Sequence, residues 1–309
     1  MLKFLYYYLR SIRLYYGFVT ATTVLAGLCL AHGTYNELKL SWTLTDLPWT
    51  LRDAALLAMG FFAWGFNQIF SDWCDRKEDA INAPHRPMVT GALKPLPAFA
   101  ISAAGLLAIA VAGYLMSPWT LAFLAAGGVL NIAYSILKRV PVLNCLVYAC
   151  AISCCALFAI AGMGNRCPTL DEFEFVAAWI VPVHFLMCHN SYYKDVKGDR
   201  TAGVRTLQTM CPPVALALSD SMAFLVVVLS SFVAFMNACM LAFAVLAAVL
   251  AIAFHFAVSR ARFHRATCLN CQLCVLLLHF SFFKASWPYA VVSLVAIQFL
   301  FIWYDDEKE

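Results

Sequence analysis

Two short acidic clusters contain the residues of this chain whose types and spacing could do chemistry. Asp72, Asp75 and Asp79 follow one another at intervals of three and four residues, and Asp195 and Asp199 are four residues apart. Such intervals place the carboxylates of each cluster on one face of a helix. Carboxylates this close repel one another unless cations lie between them, and oxygen ligands suit Mg²⁺ shared with a substrate phosphate. The pattern therefore predicts a metal–diphosphate site; a merely solvated acidic helix end is the plainer alternative.

Basic and phenolic side chains lie where they could hold such a diphosphate. Tyr134 and Lys138 are four residues apart, so we expect Lys138 to bind a diphosphate oxygen and Tyr134 to steady it, although Lys138 also suits a membrane anchor. Arg86 lies between two prolines, in a rigid turn suited to a phosphate clamp. Further candidates beside the second acidic cluster are Lys194 and Arg200.

The elements that must position these residues are apolar helices. The chain of 309 residues is 63% hydrophobic and 12% charged, a composition that excludes a soluble or disordered chain. A stretch of about 20 apolar residues crosses a bilayer, and it must do so as a helix. The predicted spans are 14–33, 54–71, 96–116, 120–137, 141–163, 174–193, 214–236, 238–257 and 268–283. The stretch 287–304 is either a tenth span or the far half of a broken ninth.

The positions of the basic residues predict the orientation of these helices. Most Lys and Arg fall on the side of the N-terminus, which is therefore cytoplasmic together with both acidic clusters. The basic segments are 1–13, 72–95, 138–140, 194–213 and 258–267. We expect the first of them to form an interfacial helix, from which Arg10 or Arg13 could reach the mouth of the site, although anchoring suits each better. The net charge of +4 follows from this topology, and no basic stripe suggests nucleic-acid binding.

Histidine and cysteine residues inside the predicted helices allow two interpretations. His184 and His189 are polar groups within a span, which makes them functional candidates, but we favour helix-to-helix hydrogen bonds. Cys268, Cys271 and Cys274 have the spacing of a metal site, yet no fourth ligand follows at a usual distance. Packing inside an apolar helix is therefore the preferred role of these cysteines.

Three motifs together resemble those of the UbiA superfamily of intramembrane prenyltransferases. They are Ser71-Asp72-x-x-Asp75-x-x-x-Asp79 with the loop around Arg86, Tyr134-x-x-x-Lys138, and Asp195-x-x-x-Asp199 with Arg200 and Gly203. Their order and spacing agree with the family across most of the chain. The resemblance implies a single domain over 1–309, an all-α bundle of about nine transmembrane helices around a central cavity open to lipid, and two Mg²⁺ ions that bridge a prenyl diphosphate.

The resemblance also implies roles for individual residues. By position, the metal ligands would be Asp75, Asp79, Asp195 and Asp199, with Asp72 beside them. Lys138 and Arg86 would hold the diphosphate. The chain departs from the family pattern at Ser71, where the motif has Asn. A serine hydroxyl can still bind Mg²⁺ from a shorter arm, and Asn67, one turn earlier, is a candidate to compensate.

The predicted function is Mg²⁺-dependent transfer of a prenyl group from a polyprenyl diphosphate to an acceptor, expected to be an electron-rich aromatic ring. The allylic cation would lie over aromatic side chains, and Asp195, Asp72 or the departing diphosphate would take the proton. A terpene cyclase that needs no acceptor is the main alternative. A non-catalytic transporter or lipid-binding protein is a further one, disfavoured because the ionisable residues gather at one membrane face. The acceptor, the prenyl length and the oligomeric state stay open.

Overall fold

The computed structural model describes residues 2–32, 50–137, 140–234, 238–263, 267 and 287–304, and its regular structure there is helical. The α-helices are α1 (Leu2–Ser11), α2 (Leu14–Ala31), α3 (Leu51–Cys74), α4 (Arg76–Asn82), α5 (Pro95–Met116), α6 (Pro118–Leu137), α7 (Leu143–Gly164), α8 (Leu170–Phe175), α9 (Val181–Ser191), α10 (Val196–Ala202), α11 (Leu207–Met210), α12 (Pro212–Ala234), α13 (Ala238–His255) and α14 (Trp287–Tyr304).

Within the part of the chain that the structure describes, six helices are long and apolar enough to cross a membrane. They are α2, α3, α5, α6, α7 and α12, the last over Pro212–Leu229. Each coincides with a predicted span, so the all-α membrane fold is confirmed. The predicted spans at 238–257 and 287–304 coincide with α13 and α14, whose described apolar parts are shorter. The predicted span at 268–283, with its three cysteines, lies outside the described residues.

The predicted sixth span, 174–193, is helical but interrupted. After α8 the backbone makes one π-helical turn, Val176–Ile180, before α9 begins. Pro182 is the cause that the sequence provides, because proline has no N–H to donate and its ring crowds the carbonyl four residues earlier. A π turn absorbs that conflict without ending the helix. The interruption therefore lies about four turns before the second acidic cluster.

Helices α2 and α7 form the centre of the bundle. They pack against each other, and α7 also contacts α3, α5, α6 and α9. Their close approach depends on Gly27, since a Cβ there would overlap the backbone carbonyl of Ala156 on α7. Small residues at such crossings are how membrane helices gain van der Waals contact, because lipid supplies no hydrophobic force between helices. Helices α5 and α6 are mostly exposed and lie at the periphery.

Three threonines on α2 fasten it to three other helices. The Thr20 hydroxyl donates to the Gly60 carbonyl of α3 at 2.9 Å. Thr23 shares a 2.9 Å hydrogen bond with His184 Nε2 on α9, and Thr22 shares one of 3.1 Å with the Tyr289 hydroxyl on α14. We call Thr20, Thr22 and Thr23 the threonine belt. The role expected for His184, a bond between helices, is the one it has.

Arg52 joins α3, α5 and α7 at the ends that lie opposite the acidic clusters. From the first turn of α3, its Nε donates to the Gly162 carbonyl of α7 at 2.7 Å, and its Nη2 donates to the Met116 carbonyl of α5 at 2.6 Å. Both carbonyls belong to the last turns of their helices, where no intrahelical N–H reaches them. Arg52 therefore caps two helices at once.

We expect Arg52→Ala to lower the free energy of unfolding by about 2–3 kcal/mol, because it removes two charge-assisted hydrogen bonds. Arg52→Lys, which keeps the charge but reaches only one carbonyl, should recover about half of the loss. The measurement is the temperature at which the detergent-purified protein loses its monodisperse size-exclusion peak. Equal midpoints for the parent protein and Arg52→Ala would contradict the capping role.

Candidate active site

The first acidic cluster spans the joint between α3 and α4. Asp72 lies in the last turn of α3, Asp75 is the residue between the two helices, and Asp79 lies on α4. Asp72 is 3% exposed, and its Oδ1 accepts hydrogen bonds from Arg13 Nη2 at 2.6 Å and from Gln68 Nε2 at 2.8 Å. Buried carboxylates require such partners. Asp72 is therefore held at its Oδ1 by two donors, Arg13 and Gln68.

Arg86 binds the same cluster from the loop that follows α4. Its Nη1 forms an ion pair with Asp79 Oδ1 and lies 4.0 Å from Asp72 Oδ1. Burial lowers the pKa of Arg86, as does the neighbouring Arg13 guanidinium. The carboxylates of Asp79 and Asp72 outweigh both effects, so the pKa of Arg86 is raised above its usual value. Arg86 is therefore a permanent cation at the expected diphosphate site.

The second acidic cluster is carried by α10. Asp195 is the N-cap residue of this helix, and Asp199, 1% exposed, lies one turn later. The helix ends at Gly203, whose φ of 69° allows the Val204 N–H to return to the Asp199 carbonyl at 2.8 Å. Helix α10 packs against α4. The fold thus brings the two clusters, more than 100 positions apart in the sequence, next to each other.

His189 and Gln208 form hydrogen bonds between the helices that flank the second cluster. The Nε2 of His189 lies 2.8 Å from the Ala215 carbonyl of α12, and the Gln208 amide donates to the His189 carbonyl at 2.7 Å. Both side chains are buried. The expected helix-to-helix hydrogen bond is therefore present at His189, and Gln208 is a supporting residue that the sequence analysis did not identify.

Tyr134 connects the end of α6 to the turn before Asp195. Its hydroxyl forms a 2.9 Å hydrogen bond with the hydroxyl of Tyr192, in the 3₁₀ turn Tyr192–Lys194. Lys138, the expected partner of Tyr134, lies outside the described residues. Tyr134 therefore lies beside the second cluster, as the motif order suggested, through a tyrosine pair that motif spacing alone does not reveal.

The residues present fit a divalent cation by their chemistry. Asp79 Oδ2 is buried and has no hydrogen-bond partner among the described residues, although its other oxygen pairs with Arg86. No group of three His, Cys, Asp or Glu side chains in the described parts of the chain is already arranged around a single metal position. Mg²⁺ needs only one or two protein carboxylates, because water and phosphate complete its octahedron. The donor set is therefore sufficient if a diphosphate supplies the remaining ligands.

The other expected site residues differ in exposure. Ser71 and Lys194 are partly buried, and Arg200 is exposed on α10. Asn67 lies on α3 one turn before Ser71 and lines a cavity. The polar partners that motif spacing missed are Arg13 and Gln68; the interval of four between Gln68 and Asp72 was the available signal.

The bundle contains a largely apolar cavity of about 530 Å³. It lies among α2, α3, α5, α6 and α7, and its lining includes Met59, Trp64, Phe70 and Gly128. Asn67 and Asn131 are its amide side chains, and each lies on the part of its helix nearest the site residues. An apolar cavity with a polar end can accommodate an amphiphile whose charged group faces the carboxylates.

Comparison with known proteins identifies sequence relatives. The sequence model of the UbiA prenyltransferase family matches residues 20–272. The bacteriochlorophyll synthase 33 kDa chain of Rhodobacter capsulatus is 28% identical over 166 residues, 51% of this chain and 54% of that protein. Digeranylgeranylglyceryl phosphate synthase of Natronomonas pharaonis is 31% identical over 147 residues, 47% of this chain and 52% of that protein. The chain thus matches about half the length of these curated relatives.

Solved structures share the fold over nearly their whole length. The apo structure of a UbiA homolog from Aeropyrum pernix K1 has a TM-score of 0.67 at 15% identity, covering 92% of this chain and 98% of that one. A UbiA homolog from Archaeoglobus fulgidus bound to GPP and Mg²⁺ has a TM-score of 0.64 at 16% identity, covering 94% and 99%. At these identities the likeness is one of fold.

Proposed function

The chain belongs to the UbiA prenyltransferase family, and from this premise we propose that it transfers a prenyl group from a polyprenyl diphosphate to an acceptor in a Mg²⁺-dependent reaction. One observation carries the proposal. Helices α4 and α10 pack together and bring two carboxylate clusters side by side, and Asn67, five residues before Asp72 on α3, lines an apolar cavity. In a polyprenyl diphosphate, the diphosphate with its Mg²⁺ suits the carboxylate clusters and the hydrocarbon tail suits the apolar cavity.

The proposal assigns roles to the expected residues. Asp75, Asp79, Asp195 and Asp199 would hold two Mg²⁺ ions, with Ser71 and Asn67 as oxygen ligands beside them. Arg86 and Lys138 hold the diphosphate, Lys194 and Arg200 add positive charge, and Tyr134 steadies Lys138. The bound Mg²⁺ would neutralise the diphosphate oxygens and so help the C–O bond to ionise. The buried Arg86 supplies a fixed positive charge where negative charge develops on the leaving group.

The cavity protects the reactive carbon from water. Its aromatic lining, including Trp64 and Phe70, can face an allylic cation, and its apolar walls exclude hydrolysis. The acceptor, for which we propose an electron-rich aromatic ring, attacks the carbon that leaves the diphosphate. Its proton passes to Asp195 or to the departing diphosphate, since Asp72 is engaged by Arg13 and Gln68.

The proposal extends to the architecture and the membrane. We infer one domain over 1–309 with about nine transmembrane helices, or ten if 287–304 spans separately, around a cavity open to lipid. The N-terminus and the mouth of the site face the cytoplasm, in accordance with the basic segments. The terpene-cyclase alternative is not favoured, because the matching family is one of prenyltransferases.

The deciding experiment incubates the purified protein in nanodiscs with geranylgeranyl diphosphate and Mg²⁺, with and without acceptors. The acceptor panel contains hydroxybenzoate, a naphthoate, a tetrapyrrole acid and a glycerol phosphate. We expect diphosphate release only when a suitable acceptor is present, with a prenylated adduct in the lipid extract. Release without an acceptor, giving a cyclised hydrocarbon, would instead establish a cyclase. Diphosphate binding without any release would contradict catalysis.

Gly128 offers a test of where the prenyl tail lies. It lines the cavity, and a Cβ at this position would meet no atom within 4 Å, so the space beside it is open. We expect Gly128→Phe to raise the KM of a twenty-carbon diphosphate roughly tenfold or more relative to a ten-carbon one, because the ring takes the volume of about one isoprene unit. Steady-state kinetics with both diphosphates measure this.

The neighbouring residue on α6 supplies the control. Val129 is 66% exposed, so Val129→Phe places the same ring on the outside of the bundle. This variant should leave the ratio of the two KM values unchanged. Two results would exclude this cavity as the site of the prenyl tail. One is that Gly128→Phe raises the KM of both diphosphates equally; the other is that Val129→Phe changes the ratio of the two KM values as much as Gly128→Phe does.

A further inference from the structure

Four charged side chains of alternating sign form one chain across the first acidic cluster. Arg13 contacts Asp72 at 2.6 Å, Asp72 lies 4.0 Å from Arg86, and Arg86 forms an ion pair with Asp79. The side chains of Arg13 and Asp72 are 11% and 3% exposed, so this part of the chain is largely removed from water. We call these four residues the ion chain. Arg13 and Arg86 both act on Asp72, but at different distances.

Arg13 reaches the ion chain from a specific backbone position. It lies between α1 and α2 with φ 45° and ψ 69°, a left-handed conformation that costs about 1 kcal/mol or more for a residue with a Cβ. The flanking helix α1 is fixed by packing of Tyr8 and Ile12 against Ile69 and Leu93, and the Tyr8 hydroxyl bonds Ser102 at 2.8 Å. The surroundings thus hold a strained residue in the place where its guanidinium meets Asp72.

The ion chain also shows what would follow if Arg13 were lost. Asp72 would keep the Gln68 amide but would have no close cation at its Oδ1. A buried carboxylate without a cation is strongly unfavourable. Among the described contacts of Asp72, the second cation is Arg86, whose Nη1 lies 4.0 Å from Asp72 Oδ1. In the structure Arg86 forms its ion pair with Asp79. A small shift would move Arg86 onto Asp72 and away from Asp79.

We propose that Arg13 is a positioning residue that neutralises Asp72 and thereby keeps Arg86 available to the diphosphate. This inference rests on the proposed function, which makes Arg86 a diphosphate ligand. It assigns Asp72 the task of linking the two arginines. On this proposal, the break between α1 and α2 has a function: it places the Arg13 guanidinium beside Asp72.

The test compares Arg13→Gln, the double variant Arg13→Gln/Asp72→Asn, and Arg10→Gln as a matched control. Arg10 lies on α1, and its Nη1 donates a hydrogen bond to the Tyr6 hydroxyl at 3.3 Å. In Arg13→Gln we expect the KM of geranylgeranyl diphosphate to rise about tenfold with kcat changed less than about threefold, because a ground-state diphosphate contact is lost. In the double variant Asp72 no longer attracts Arg86, so the KM should return to within about threefold of the parent value.

A second readout uses Mn²⁺ binding to the substrate-free protein, followed by electron paramagnetic resonance. Arg13→Gln removes a positive charge and draws Arg86 away from Asp79, so Mn²⁺ should bind about three- to tenfold more tightly. A merely structural role for Arg13 would distort the site and weaken Mn²⁺ binding instead. Arg10→Gln should match the parent protein in both readouts.

Three results would overturn the inference. A double variant as impaired as Arg13→Gln would mean that Arg13 contacts the diphosphate directly. Weaker Mn²⁺ binding in Arg13→Gln would mean that the ion chain only maintains the fold. An equal effect of Arg10→Gln would mean that surface charge alone matters. Failure of the proposed function would look different: the parent protein would release no diphosphate with any acceptor, while the Mn²⁺ affinities would still report on the ion chain.

Discussion

Turnover should fall about a thousandfold or more in Asp199→Asn and in Asp79→Asn, while both variants stay folded. Each asparagine keeps the shape of the aspartate but removes the negative charge that a divalent cation requires. The two residues lie on α10 and α4, which pack together, so each variant affects a different half of the same site. Initial rates of diphosphate release at saturating Mg²⁺ measure the effect, and size-exclusion profiles verify folding.

A matched acidic residue far from the site makes this prediction specific. Asp171 is exposed in the first turn of α8, near the opposite ends of the helices from the acidic clusters. Asp171→Asn should retain full activity, because a helix-terminal charge contributes only about 0.3–1 kcal/mol to stability. More than a tenth of the parent activity in either Asp79→Asn or Asp199→Asn would rule out that carboxylate as an essential metal ligand.

Gly27→Val should prevent normal assembly of the bundle. A Cβ on Gly27 would overlap the Ala156 carbonyl, which is backbone and cannot rotate away, so α2 and α7 would have to separate. Overpacking of this kind costs about 3 kcal/mol. Because α2 and α7 are the central pair, the loss should appear as a low yield of monodisperse protein and an unfolding midpoint about 5 °C lower.

Gly128→Ala is the control for the Gly27 prediction. Both positions are helical glycines, but a Cβ on Gly128 meets no atom within 4 Å. Replacing Gly by Ala there should leave stability unchanged or raise it by up to about 1 kcal/mol, through helix propensity. If Gly27→Val and Gly128→Ala had the same midpoint, the close approach of α2 and α7 would not be a stabilising contact.

The sequence predicted the helices and the acidic face of each cluster because both depend on local patterns. Apolar length identifies a membrane helix, and carboxylates three or four residues apart share a face. Arg13 was considered only as an anchor or as a residue near the mouth of the site. Its contact with Asp72 joins positions 59 residues apart and depends on the left-handed backbone between α1 and α2. No periodicity encodes such a contact.

The interrupted sixth helix was missed for a related reason. Pro182 was visible in the sequence, but a proline inside a helix can end it, bend it or induce a π turn, and neighbouring helices determine which occurs. Tyr134 was recognised by its spacing from Lys138, whereas its hydrogen-bond partner Tyr192 belongs to another helix. Tertiary contacts of this kind require the fold itself.

The hydrogen bonds of the threonine belt make one side of the cavity more rigid than the other. Rotation of α2 would break its hydrogen bonds to α3, α9 and α14 together, so the side of the cavity formed by α2, α3 and α7 should keep its shape. Helices α5 and α6 form the opposite side and bury little of their surface. Segments with few buried contacts open at low free-energy cost. Tails of different thickness would therefore be accommodated by outward movement of α5, because α6 packs closely along α7, with the reacting end kept in register by the stationary side.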